Sequence, residues 1–173
     1  LVNSVPADVR IETYVRAKTM EAIEATHKKV DTALKAGGDA VGAQTVIATM
    51  PGQLPLACNN RLNELFVTNA KIAEPNVAVK DAGHFSASTD MGDVSHLLPV
   101  IHPFIGGVDG FLHTADFHVV DFKHAVLLPA KAFAMMIVDL LADDAELARQ
   151  IKAEHHPLLT KEEYIAKLDK YFQ

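Results

Sequence analysis

The segment Pro51-Gly52-Gln53-Leu54-Pro55 constrains this chain more than any other feature. Two prolines and a glycine without hydrophobic periodicity mark a linker, and what precedes it is too small to stand alone. Val9 to Ala17 alternates, with Val9, Ile11, Thr13 and Val15 on one face and Arg10, Glu12, Tyr14 and Arg16 on the other. That is the pattern of a half-buried strand. Thr19 is placed to cap the helix that follows, whose apolar stripe is Met20, Ile23, His27, Val30 and Leu34. The helix ends at Gly37-Gly38, or one turn later at Val41-Gly42. Gln44 to Met50 reads as a second strand. A βαβ piece of this size has two open sheet edges and little core. It requires more strands, from a missing N-terminal part or from another subunit.

Beyond the linker the pattern is helix-rich α/β. A helix is expected from about Asn60 to Ala73, with Leu62, Leu65, Phe66, Asn69 and Ile72 on its stripe. Asn76 to Lys80 reads as a short strand, Asp81 to Asp93 as a polar loop, and Leu97 to Ile105 as a buried strand. Gly106 to Gly110 is loop. A long helix follows from about Val126 to Ala142, with Pro129 tolerated near its first turn. Asp144 to Glu154 is a polar helix. Thr160-Lys161-Glu162-Glu163 is a capping box for the last helix, which points Ile165, Leu168 and Phe172 inward. The expected domains are residues 1–52 and 53–173.

Of the 173 residues, 49% are apolar and 22% charged, a globular composition with enough chain to bury a core. The net charge of −6 argues against a general nucleic-acid binder, which needs a basic face. The longest apolar stretch, Ala125 to Ala142, is interrupted by Pro129, Lys131 and Asp139, so no bilayer span is expected. A single cysteine, Cys58, rules out an intrachain disulfide framework and fits a reducing, cytoplasmic setting. Cys58 has no base near it in sequence and reads as structural.

Nine histidines are present, and His84, His96, His102, His113, His118 and His124 cluster in sequence. Their spacing builds no closed metal site. His113, in Gly110-Phe111-Leu112-His113-Thr114-Ala115-Asp116-Phe117, follows a glycine-bearing loop, where a histidine can point off a rigid framework into a cleft. Asp116 or a carbonyl could orient its second nitrogen; otherwise His113 simply starts a helix. The loop from Gly83 to Asp93 offers Ser88, Thr89 and Asp90, either to line a cleft or to cap a helix. Asn3 and Arg16 could together hold a carboxylate, Arg16 by a charge-assisted fork; alternatively Arg16 is a solvated strand-end residue. No phosphate-binding glycine motif and no G-x-S-x-G elbow is present.

Three separated runs then agree: Ser88-Thr89-Asp90-Met91-Gly92-Asp93-Val94-Ser95, Pro99-Val100-Ile101-His102-Pro103 and Leu112-His113-Thr114-Ala115-Asp116-Phe117. They resemble the aminoacylase and amidohydrolase branch of the two-zinc metallopeptidases. That group includes glutamate carboxypeptidases, aminobenzoyl-glutamate hydrolases and β-alanyl-lysine-type dipeptidases. Val2 to Asp8 with Ile11 to Arg16 resembles the family's lid, or dimerisation, domain. The resemblance covers the chain to about Glu154 and is nearest to the dipeptidase and aminobenzoyl-glutamate-hydrolase side.

The resemblance implies an α/β fold, with a partial ferredoxin-like lid followed by the C-terminal part of a three-layer zinc-hydrolase domain. It implies that His113 is a ligand of one of two catalytic zinc ions. It further implies that Asn3 and Arg16 bind the substrate carboxylate, often across a homodimer, and that Ser88, Thr89 and Asp90 line the cleft. The implied reaction is metal-assisted hydrolysis of an amide in an N-acyl amino acid, dipeptide or aminobenzoyl-glutamate-like substrate with a free carboxylate.

The family's H-x-H or H-x-D motif, its bridging acid or cysteine, its Glu-Glu pair and a further histidine are not in this sequence. The lid also lacks its first helix and strand. The expectation is the C-terminal part of a longer hydrolase, inactive as this fragment because one ligand cannot hold a metal pair. The alternatives are a non-catalytic module that binds small carboxylates or oligomerises on the same scaffold, and a subunit that rebuilds one active site with an N-terminal partner.

Overall fold

A computed structural model of the chain describes residues 3–81, 83 and 87–170. The core is a pair of helices, α2 (Asn60–Ala73) and α4 (Leu128–Glu154). The α2 stripe forms as its spacing predicts: Leu62, Phe66, Asn69 and Ala70 are buried. Asn59 caps the helix, its Oδ1 accepting from the Leu62 N–H at 3.0 Å. Ile72, expected on the same stripe, is instead 64% exposed. Opposite it, Ala132 and Met136 of α4 are fully or nearly fully buried, and Ile151 closes the cluster. The Phe66 and Phe133 rings lie 4.8 Å apart, tilted by 51°. Asn69 is the polar member of this core. Its Nδ2 donates to Asp139 Oδ2 at 2.7 Å and to the Leu65 carbonyl at 3.1 Å, so its burial leaves no donor stranded.

The long helix starts differently from expectation. Residues Lys123–Leu127 form a π-helical turn that runs into α4, with Pro129 in the first α-turn. At Ala142–Ala145 the backbone leaves helical geometry, with positive φ at Asp143, Asp144 and Ala145. This break falls where the sequence separates one helix from the next. Residues Lys123–Glu154 are nevertheless long and apolar enough to cross a bilayer by length and composition, with mean hydropathy 1.9 in their most apolar 18 residues, 17% of them buried. This corrects the expectation that no stretch approaches a span: Pro129, Lys131 and Asp139 do not lower the average enough. The outward face carries Ile137, Val138 and Leu141, all more than half exposed.

The linker is held in place rather than loose. The Ala57 N–H donates to Ser95 Oγ at 3.0 Å, His96 Nε2–H to the Pro55 carbonyl at 2.9 Å, and the Asn59 N–H to the Val100 carbonyl at 2.8 Å. Buried Leu54 lies so close to Gly92 that a Cβ there would stand 1.9 Å from the Leu54 carbonyl oxygen. Gly92 belongs to the short helix α3 (Met91–Ser95), which forms inside the segment expected to be loop.

Four segments expected as strands, Val9 to Ala17, Gln44 to Met50, Asn76 to Lys80 and Leu97 to Ile105, carry no strand ladder. Among the described residues the sheet is a two-stranded one, β1 (Val108–Asp109) and β2 (His118–Val119), antiparallel with Val108 opposite Val119. The physical reason is the one the linker implied: a strand's N–H and C=O groups need a neighbouring strand, and these four find none here.

Helix α1 (Met20–Ala40) forms with its Thr19 cap, the Ala22 N–H donating to Thr19 Oγ1 at 3.3 Å. It continues through Gly37-Gly38 and ends at Val41, and none of its residues is buried. Helix α5 (Lys161–Asp169) has the predicted capping box, with Thr160 and Glu163 bonded reciprocally. Ile165, expected to point inward, is 45% exposed; Leu168 is half-buried; Phe172 lies outside the described residues.

Candidate functional site

A cavity of about 1930 Å³ opens between the residues before α1, the linker, the loop before α3 and the start of α4. Arg16, Ser88, Thr89, Asp90 and His113 all line it, so the structure brings together five of the six residues singled out in the sequence. Asn3 is exposed and does not line it. Arg16 is exposed, with its guanidinium carbon 5.0 Å from the centre of the Tyr14 ring. This stacking steadies a planar donor fork suited to a carboxylate.

The α3 loop is tied from two sides. Asp90 Oδ1 accepts from Gln53 Nε2 at 2.6 Å, a bond that ties the loop to the linker. Asp90 makes no capping bond to α3; Thr89 does this in part, its Oγ1 accepting from the Met91 N–H at 3.4 Å. The same Thr89 Oγ1 lies 3.3 Å from His102 Nδ1. His84 and Ser86 of this loop lie outside the described residues.

His113 does not start a helix. It sits exposed in the turn between β1 and β2 with φ 66°, a left-handed conformation that costs a non-glycine residue of the order of 1 kcal/mol or more. Asp116 does not orient it, because the Asp116 carboxylate accepts from the Thr114 hydroxyl, and the Asp116 carbonyl pairs with His118 Nδ1 at 2.6 Å.

At the cavity's rim His124 Nδ1 lies 2.6 Å from Asp121 Oδ2, and the His124 N–H donates to Asp121 Oδ1 at 3.1 Å. Hydrogen bonding from His124 holds the Asp121 carboxyl below its ordinary value. Next to it Lys123 donates to Glu74, which lowers the Glu74 carboxyl and raises the Lys123 ammonium. Gly107 makes room for this turn, since a Cβ there would lie 2.6 Å from the Asp121 carbonyl oxygen.

Two zinc ions are what the family resemblance implies, and the described residues do not fit them. No group of three or more His, Cys, Asp or Glu among these residues is arranged to hold a metal ion. His113 alone offers one donor. Cys58 is free and half-buried; it lines this cavity and also a smaller one of about 400 Å³ with Arg61, Glu154 and His155. Gln53, His102 and His124 are cavity residues to which sequence reasoning gave no role there. Gln53 carries no signal, being 37 positions from its partner Asp90, whereas His102 stood within one of the three recognised runs.

The chain is 29% identical over 153 residues to the Xaa-Arg dipeptidase of Mus musculus. The aligned stretch is 84% of this chain and 36% of that protein, so the chain spans about a third of its relative's length. No family model matches the chain, and no solved structure matches it. The identity over most of the chain supports a relationship to the peptidases of the amidohydrolase family, at that level and no finer.

Proposed function

We propose that the chain is the C-terminal part of a metal-dependent amidohydrolase of the dipeptidase type, and that it contributes the carboxylate-binding side of the cleft. The observation that carries this is the identity to a dipeptidase over 84% of the chain. The gathering of Arg16, Ser88, Thr89, Asp90 and His113 at one cavity supports it. The substrate is an N-acyl amino acid, a dipeptide or an aminobenzoyl-glutamate-like compound with a free carboxylate; a dipeptide ending in arginine falls within this class. Arg16 holds the carboxylate, assisted by Asn3 once that residue is brought to the site, and the loop of Ser88, Thr89 and Asp90 lines the cleft. His113 contributes one zinc ligand in the complete enzyme. This chain alone does not hold the metal pair, so no catalytic step is assigned to its residues. The complete protein works as a homodimer through the lid, in the cytoplasm and off both membranes and nucleic acid. The exposed apolar residues Val9, Ile11 and Val46 support an additional covering subunit, and the bond from Asn69 to Asp139 ties the apolar helix to α2 rather than to lipid.

The test is kinetic. In the complete protein Arg16→Ala raises KM about 10-fold or more with kcat little changed, the signature of a lost substrate contact; an unchanged KM removes Arg16 from the carboxylate site. The 173-residue chain, supplied with zinc, hydrolyses no substrate of this class. Metal-dependent turnover by a preparation proven to contain this chain alone overturns the partial-site reading. A metal-free chain that binds small carboxylates, with no hydrolysis by any longer form, would favour the non-catalytic module.

A further inference from the structure

We propose that His102 contacts the ligand, donating a hydrogen bond from Nε2 to the carbonyl oxygen of a bound N-acyl amino acid or dipeptide. The proposal rests on the reading of this cleft as a site for amides bearing a carboxylate. The argument begins with the tautomer. Thr89 Oγ1 already accepts from the Met91 N–H, and it lies 3.3 Å from His102 Nδ1. The Thr89 hydroxyl proton has no other acceptor among the described residues, and Nδ1 is the acceptor in reach. With Nδ1 accepting that proton, the ring proton sits on Nε2.

That Nε2–H has no hydrogen-bond partner among the described residues, although the ring is half-buried. The ring lines the cavity shared with Arg16. It is also held still: it stacks on Phe104, centroids 5.8 Å apart and planes 26° apart, and Pro103 limits the backbone that follows. A half-buried donor with a fixed tautomer, a fixed ring and no protein partner is suited to a ligand acceptor. The Nε2–H suits a carbonyl oxygen, while Arg16 takes the carboxylate of the same molecule.

The test uses the 173-residue chain, labelled with ¹⁵N, and N-acetyl-L-arginine as the probe. Long-range ¹H–¹⁵N spectra of the free chain place the His102 proton on Nε2, and Thr89→Val moves part of the population to Nδ1. On titration His102→Leu weakens binding by about 10-fold or more, the loss expected for one well-placed hydrogen bond. His102→Gln, whose amide keeps a donor, stays within a few-fold of the unsubstituted chain and separates a lost donor from a disturbed fold. A proton found on Nδ1 in the free chain overturns the proposal, as does a His102→Leu chain that binds equally well. If the unsubstituted chain binds no N-acyl amino acid, the reading of the cleft itself fails, and the assignment of His102 falls with it.

Discussion

Helices α1 and α2 are equally amphipathic, yet they end differently. α2 buries Leu62, Phe66, Asn69 and Ala70 against α4, whereas the equally regular stripe of α1, Met20, Ile23, Val30 and Leu34, is only half-buried. The contrast extends to their flanks. The linker before α2 is pinned through Ser95, His96 and Val100. The segments on either side of α1 leave Val9 69%, Ile11 70% and Val46 84% exposed. An apolar stripe is a demand for a partner surface, and the region after the linker meets that demand more fully than the region before it. The region before it keeps helix α1 by local means, a Thr19 cap and a run of good helix formers.

The largest expected effect lies in the packed region. Phe66→Ala removes an aromatic ring from the centre of the α2–α4 contact and should cost about 3–5 kcal/mol in urea unfolding. A cost near zero would mean that this core is not the one that holds the chain together.

Smaller effects come from helix ends. Thr160→Ala removes half of the α5 capping box and should cost about 1 kcal/mol. The partner Glu163 has its carboxyl lowered by the Thr160 backbone and hydroxyl. Its contribution is therefore present above the ordinary carboxylate value and lost as pH falls through the lower folded-state value. Glu74 and Asp121, lowered by Lys123 and His124, add to the same acid-side loss. Unfolding midpoints measured from neutral pH into the acid range should fall for the parent chain, and fall less for Thr160→Ala. Parallel curves would remove the capping box from the pH dependence.

The smallest effect sharpens the contrast most. Leu34 is half-buried, so Leu34→Ala on α1 should cost no more than about 1 kcal/mol in the isolated chain. A loss comparable to that of Phe66→Ala, particularly one that grows with protein concentration, would show that a second subunit covers α1 in solution.

How much was legible follows the same division. α2 with its stripe, the Thr19 cap and the Thr160 capping box were written locally, because spacing and cap chemistry act over one or two turns. The four expected strands were not realised, because a ladder depends on a neighbour that a local pattern can request and cannot supply. Of the candidate site, what could be read was residue types: Arg16, Ser88, Thr89, Asp90 and His113 were singled out, and all five line one cavity. Gln53 was not legible, since its partner Asp90 is 37 positions away in the sequence, and His102 was visible only as part of a run without a role.

By itself, then, the sequence determined where helices begin, which of their faces are apolar, and which side chains carry charge or donors. These properties depend on neighbours within a few residues. Only the tertiary structure decided which stripe found cover, that the proline-bracketed linker is clamped by Ser95 and His96, and that Thr89 meets His102 while Asn3 stays away from Arg16's cavity. Contacts between distant segments depend on how whole elements pack, and no local pattern encodes the position of a surface contributed by another part of the chain.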